Sequence, residues 1–190
     1  DGMPNVKVAE LEIQVSTGKL RAATYGRGLW ETDLYTPPTA APVCAMSSNK
    51  TTACVNGSID FYDLSTNLPT TWNWTFQNGN PATSSLQYPI VSWSTPGTYN
   101  VKLIASNGIG ADSVAANSYV TIYPNPVAYA GNDTTMCKGD TIQLNATGGS
   151  SYLWSQGASL SSPFISNPLA FPTSSKTYSV TVADTNGCSS

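Results

Sequence analysis

From Leu68 the chain reads LPTTWNWTFQNGNP, with Trp72, Trp74 and Phe76 on one parity and Asn73, Thr75 and Gln77 on the other. A period of two sends successive side chains to opposite faces of a strand, so the three rings share one face. Ile59 and Phe61 alternate in the same way in SIDFYDLS, as do Tyr99, Val101 and Leu103 in TYNVKL. The pattern returns roughly 80 residues on, the length of one sandwich unit, with Ile142 and Leu144, then Trp154, then Tyr178, Val180 and Val182. No window carries apolar residues at i, i+3, i+4 and i+7 over three turns, which predicts strands and almost no helix. The Asn-Gly pair in QNGN predicts a turn with positive φ after the tryptophan strand.

Two proline-rich stretches, TPPTAAP from Thr36 and YPNPV from Tyr123, follow alternating segments. Proline fixes φ and removes a ladder donor, so such runs suit stiff, extended connections. They predict three parts: residues 1–36, 42–123 and 124–190. The first contains LEIQV and KLRAATY, a predicted hairpin across Ser16, Thr17 and Gly18. The other two are predicted as sandwiches whose alternating faces meet in a core. On that reading Trp74 and Phe76 are core residues, while Trp72, nearer the strand's start, keeps ligand stacking open.

Composition then narrows the function classes. Only 10% of the 190 residues are charged, against 40% hydrophobic, with a net charge of −3 and no histidine. An acidic chain of this kind lacks the basic surface that nucleic acid binding needs. No apolar run is long enough to span a bilayer, so membrane insertion is not expected. The opening DGMPNVKVAE has neither the basic start nor the apolar stretch of a leader, which suggests an internal piece of a longer chain. Without histidine, Ser-His and Cys-His catalysis and His-ligated metals are excluded, and no cofactor or metal is expected. Asp60 and Asp63 read as an outward strand residue and a turn cap. Glu10, Glu12, Glu31 and Asp33 show no paired geometry of the kind a glycosidase needs. Arg27 in GRGLW reads as a structural residue that bonds carbonyls. The sequons at Asn49, Asn56, Asn73, Asn132 and Asn145 are of a kind that arises by chance in so Ser/Thr-rich a chain.

Four cysteines allow three pairings. With the boundaries above, Cys44–Cys54 and Cys137–Cys188 are the pairs that stay within a domain, and four free thiols remain the alternative. Disulfides would place the chain in an oxidising, extracytoplasmic setting.

Four spaced stretches, NGSIDFYDLS, LPTTWNWTFQNGNP, STPGTYNVKLIASNGIGADS and NSYVTIYP, resemble the PKD domain family over about Pro42 to Tyr123. The family's common FGDG is Phe76-Gln77-Asn78-Gly79 here, and the lost aspartate weakens any calcium role at this turn. Residues 124–190 resemble an Ig-like module of Bacteroidetes surface proteins, in which a further strand normally follows NGC, so this sandwich is expected to lack its last strand. Residues 1–36 resemble the last strands of a sialidase- or xyloglucanase-like β-propeller. The resemblances imply an all-β fold, tandem Ig-like (PKD-type) sandwiches with an N-terminal hairpin from a propeller blade. They also imply a propeller upstream and O-glycosylation at Ser113, Thr134 and Thr141, which lie in Asp-Ser-Val, Asp-Thr-Thr and Asp-Thr-Ile tripeptides.

The functional expectation is a non-catalytic stalk, spacer or adhesive module, outside the cell or on a bacterial surface. Its partners would be other domains of the parent protein, extracellular glycans, or further copies, the incomplete last sandwich accepting a strand from the next subunit. The rival reading is an accessory region of a polysaccharide-degrading propeller, binding carbohydrate through Trp72, Trp93 or Tyr88.

Overall fold

The computed structural model describes residues 8–14, 19–24, 28–33 and 37–190. Arg27 and the predicted hairpin turn at 16–18 lie outside them. Every regular element among the described residues is a β-strand, apart from one 3-10 turn at Gly157–Ser159. The chain divides into two compact units, residues 1–39 and 40–190.

In the first unit, β1 (Val8–Gln14), β2 (Lys19–Thr24) and β3 (Gly28–Asp33) form an antiparallel sheet in chain order. Arg21 Nε donates to Glu31 Oε2 at 2.8 Å across the β2–β3 register. Ala22 is buried, whereas Leu11, Ile13 and Leu29 are exposed.

The second unit begins with eight strands: β4 (Met46–Ser48), β5 (Thr52–Cys54), β6 (Ser58–Asp63), β7 (Thr71–Phe76), β8 (Thr83–Ser84), β9 (Ile90–Ser92), β10 (Gly97–Ser106) and β11 (Ala111–Tyr123). They form one sheet ordered β4-β6-β9 and a second ordered β5-β11-β10-β7-β8. All pairings are antiparallel except β5 with β11. The two sheets close on Ile59, Phe61, Trp74, Phe76, Val91, Trp93, Tyr99, Val101, Leu103, Val120 and Ile122. The alternation in β6 and β10 dictates this packing, since each inward residue has an outward neighbour. Each fully buried large side chain stabilises the fold by about 1.5–3 kcal/mol.

Four short strands follow: β12 (Ile142–Gln143), β13 (Ser151–Trp154), β14 (Leu169–Ala170) and β15 (Val180–Ala183). β12 pairs with β14 and β13 with β15, both antiparallel. Ala146, Trp154, Leu160 and Ala170 form the core, with Ile142, Leu144, Tyr152, Tyr178 and Val180 only half-buried against it. This core is much the smaller of the two.

The expected cysteine pairing is corrected by the structure. Cys54 bonds Cys188, while Cys44 and Cys137 are free thiols. The reason lies in how β11 spans the sandwich. The Cys44 N–H donates to Asp112 Oδ2 near the start of β11 at 2.8 Å, whereas Cys54 pairs with Tyr123 at its end. Eleven residues of strand separate those points by roughly 30 Å, far beyond the reach of a disulfide. Cys137 is exposed at a turn closed by Asp140, and its expected partner Cys188 is buried and bonded to Cys54. The bond therefore crosses between the two sandwiches.

Candidate functional site

The β7 strand presents Trp72, Trp74 and Phe76 inward, as their shared parity requires. Trp74 is fully buried, stacks on Phe76 with centroids 5.6 Å apart, and donates its indole N–H to the Leu86 carbonyl at 3.0 Å. Trp154 is likewise buried in the second sandwich and donates its indole N–H to the Ile165 carbonyl at 2.9 Å.

Trp72 is half-buried at the edge of the core, and its indole N–H donates to Asp63 Oδ2 at 2.7 Å. Asp63 is buried at the end of β6 and also accepts from Gln87 Nε2 at 3.1 Å and from the Ser65 backbone N–H at 3.0 Å. Burial pushes its carboxyl up, but the hydrogen bonds from Ser65, Gln87 and Trp72 outweigh that and hold it below the ordinary value of 3.8. Asp63 thus caps the turn as its sequence position suggested, and it also anchors Trp72.

Trp93 is the site residue that the structure removes. It is 0% exposed, stacks on Tyr99 at 5.7 Å, and gives its indole N–H to the Gln77 carbonyl at 2.8 Å. A ring enclosed on both faces cannot stack on a sugar. The signal for this was present, because Trp93 shares parity with Val91, whose position opposite Ile59 is also buried.

Tyr88 is different. It is 56% exposed and its ring lies 6.2 Å from that of Tyr62, itself 36% exposed, with the planes tilted by 56°. Tyr62 sits on the outward parity of β6, between inward Phe61 and Asp63. Ile90, paired with Asp60, adds an exposed apolar side chain beside them. Asp60 is bound by Asn49, whose Nδ2 donates to Oδ2 at 3.0 Å. The outer face of the β4-β6-β9 sheet therefore carries two aromatic rings and an aliphatic residue flanked by polar groups. Such a surface suits stacking of a flat, amphipathic ligand face. Sequence reasoning found Tyr88 and missed Tyr62, whose outward parity in SIDFYD was the available signal.

Ser113, Thr134 and Thr141 are all exposed. Asp112, which precedes Ser113, accepts from the Cys44 backbone N–H, and bonds from Cys44 and Ser113 hold its carboxyl below the ordinary range. Among the described residues, no three His, Cys, Asp or Glu side chains come together as a metal site. Nor is any helix there long and apolar enough to cross a membrane.

No curated protein matches the chain. Among solved structures, it is similar to one described as carbohydrate-binding modules from the β-sandwich superfamily, at 17% identity and a TM-score of 0.39, covering 77% of this chain and 56% of that one. It is also similar to a structure described as addressing Dscam isoform specificity, at 15% identity and a TM-score of 0.31, covering 94% of this chain and 54% of that one. The chain thus spans little more than half the length of either. The first sandwich carries a more specific likeness: residues 41–120, which hold the rings of β7, the Asp63 anchor and the exposed tyrosine pair, match the family model of the PKD domain.

Proposed function

We propose that this chain is a non-catalytic spacer and adhesion segment of a larger protein, displayed outside the cell or on its surface. The observation that carries this reading is the Cys54–Cys188 disulfide, which fastens the second sandwich to the first across a proline-bearing connection. A crosslink between neighbouring modules holds them at one angle, which suits a part that keeps other domains apart. A disulfide also suits an oxidising compartment. The exposed apolar residues of the first unit, Leu11, Ile13 and Leu29, support a parent in which that sheet packs against further strands, as in a propeller blade. Exposed Ser113, Thr134 and Thr141 are accessible carriers for surface glycans.

Small-angle scattering in oxidising and reducing buffer tests the spacer reading. The oxidised chain should give a single, narrow maximum dimension, and reduction should broaden it. Identical curves in both buffers would sink the reading.

A second reading is favoured by the Tyr62–Tyr88 pair: that the outer face of β4-β6-β9 stacks on the sugar rings of an extracellular polysaccharide. Pulldown on insoluble polymers tests it. Binding that is lost in Tyr88→Ala, with folding unchanged, would support it, and absence of binding to every polymer would reject it.

A further inference from the structure

Cys54 closes β5 in the first sandwich, and Cys188 follows β15 in the second. Their bond encloses residues 55–187 in one covalent loop, which holds β6 to β11, the linker and β12 to β15. Of the second compact unit, residues 40–53 precede that loop. A pull that enters from the side of Ala40 and leaves past Cys188 thus meets two routes. One follows the backbone through both sandwiches in series. The other passes from Cys54 straight to Cys188 and omits everything between.

The two routes differ in what they strain. On the backbone route the second sandwich is one link of the series. Tyr129 exchanges both hydrogen bonds with Thr147, at 3.2 and 2.9 Å, so a pull enters that sandwich where the linker is fastened and leaves past β15. Its resistance is low. Ile142, Leu144, Tyr178 and Val180 are only half-buried, whereas Ile59, Phe61, Tyr99 and Val101 in the first sandwich are all 5% exposed or less. β12 and β14 pair over two residues only.

On the disulfide route the pull stays within the first sandwich and runs along its length. Its entry is clasped: Asn107 Nδ2 and Asn67 Nδ2 donate to the carbonyls of Ala40 and Ala41, each at 2.9 Å. The Cys44 N–H then ties the chain to Asp112 near the start of β11. The exit lies at the far end of that strand, where Cys54 pairs with Tyr123 and the Val55 N–H donates to the Tyr123 carbonyl at 3.0 Å. Between entry and exit, β4 is bonded to β6 in one sheet and β5 to β11 in the other. Ladder hydrogen bonds run across their strands, so a pull along the strands loads them together, in shear.

We propose that the Cys54–Cys188 bond is a tension bypass: it passes a pull through β4 and β5 of the first sandwich and keeps the weaker second sandwich off the loaded path. The inference rests on the spacer reading, in which the chain holds other domains of a larger protein apart. The bond also acts as a stop. While it holds, residues 55–187 add nothing to the length of a stretched molecule. A chain without it gains roughly 440–480 Å of further extension, from a sequence separation of 134 at about 3.3–3.6 Å per residue.

The test holds the 190-residue chain between handles at its two ends and reads thiol labelling inside the second sandwich under load. Ser159, buried beside Tyr178, becomes the reporter as Ser159→Cys, a nearly isosteric change that a maleimide reaches only when this sandwich opens. Ala170→Cys, at a second buried site, repeats the reading should the first reporter disturb the fold. Cys44→Ser and Cys137→Ser remove the two free thiols. The bonded chain is compared with one that also carries Cys54→Ser and Cys188→Ser, at a force chosen so that this serine variant reaches full extension. At that force the bonded chain should label more slowly by roughly tenfold or more, and neither chain should label appreciably without load. Equal labelling under load would overturn the proposal, because the pull would then reach the second sandwich despite the bond. Labelling of the serine variant as fast at rest as under load would also overturn it, since the bond would then maintain the fold and divert nothing. The spacer reading fails separately, on scattering curves recorded with no force applied.

Discussion

At the scale of single residues, burial separates two aromatic side chains that look alike in sequence. Trp93 and Tyr88 lie five positions apart around β9, yet one is enclosed and the other open. Trp93→Ala should lower stability by about 3–5 kcal/mol, the cost of emptying a large core site. Any loss of ligand binding in that variant would therefore report unfolding. Tyr88→Ala should leave the urea midpoint nearly unchanged, so it is the variant that isolates a surface role. Asp63 supplies a second contrast. Its carboxyl titrates below 3.8 in the folded chain, so its contribution is fully present above the unfolded value and is lost as pH falls through the lower folded one. Asp63→Asn should cost about 1–3 kcal/mol at neutral pH, since Trp72, Gln87 and Ser65 lose a charged acceptor. Urea titrations at neutral pH and near pH 2.5 check the sign. The gap between wild type and Asp63→Asn should be wide at neutral pH and should narrow in acid.

At the scale of elements, what the sequence revealed was parity, and what it concealed was contact. The rings of β7 and the aliphatics of β6 and β10 face inward because alternation leaves them no other arrangement with a polar outside. The turn after β7 was legible too: Asn78 adopts φ 52°, as the Asn-Gly pair implied. The role of Gly79 was not legible, because it comes from packing and not from its own φ. A Cβ there would lie 2.8 Å from both Phe76 Cβ and Val91 Cγ1. Gly79→Ala should therefore destabilise the first sandwich by about 1–3 kcal/mol through overpacking. Asn107 was equally hidden. Its Nδ2 donates to the carbonyls of Ala40 and Asn67 at 2.9 and 2.8 Å, while its Oδ1 accepts from Ile109 and Gly110 N–H groups. Only an amide offers donors and acceptor at once, so Asn107→Asp should loosen the β10–β11 turn and its tie to the preceding linker. Faster amide exchange at Ile109 and Gly110 would register it, and unchanged exchange would contradict the assignment.

At the scale of the whole molecule, the decisive contact joins residues 134 positions apart, and no local pattern could announce it. Spacing favoured pairs within each sandwich, and the structure instead places Cys54 where the first sandwich hands over to its linker. There it meets the turn that follows β15 in the second. The physical consequence falls unevenly. The first core is broad and closed, whereas the second is small and half-covered. A crosslink that restricts the unfolded chain should matter most to the weaker partner, by about 2–5 kcal/mol for a loop of this length. Replacing Cys54 and Cys188 together with serine should therefore split unfolding into two steps, the sandwich holding Trp154 melting first. Urea unfolding followed by tryptophan fluorescence, with amide exchange at Val182 against Leu103, distinguishes the steps. If both cores still melt together in the double variant, the sandwiches are coupled by their packing, and the disulfide is not what holds them to one angle.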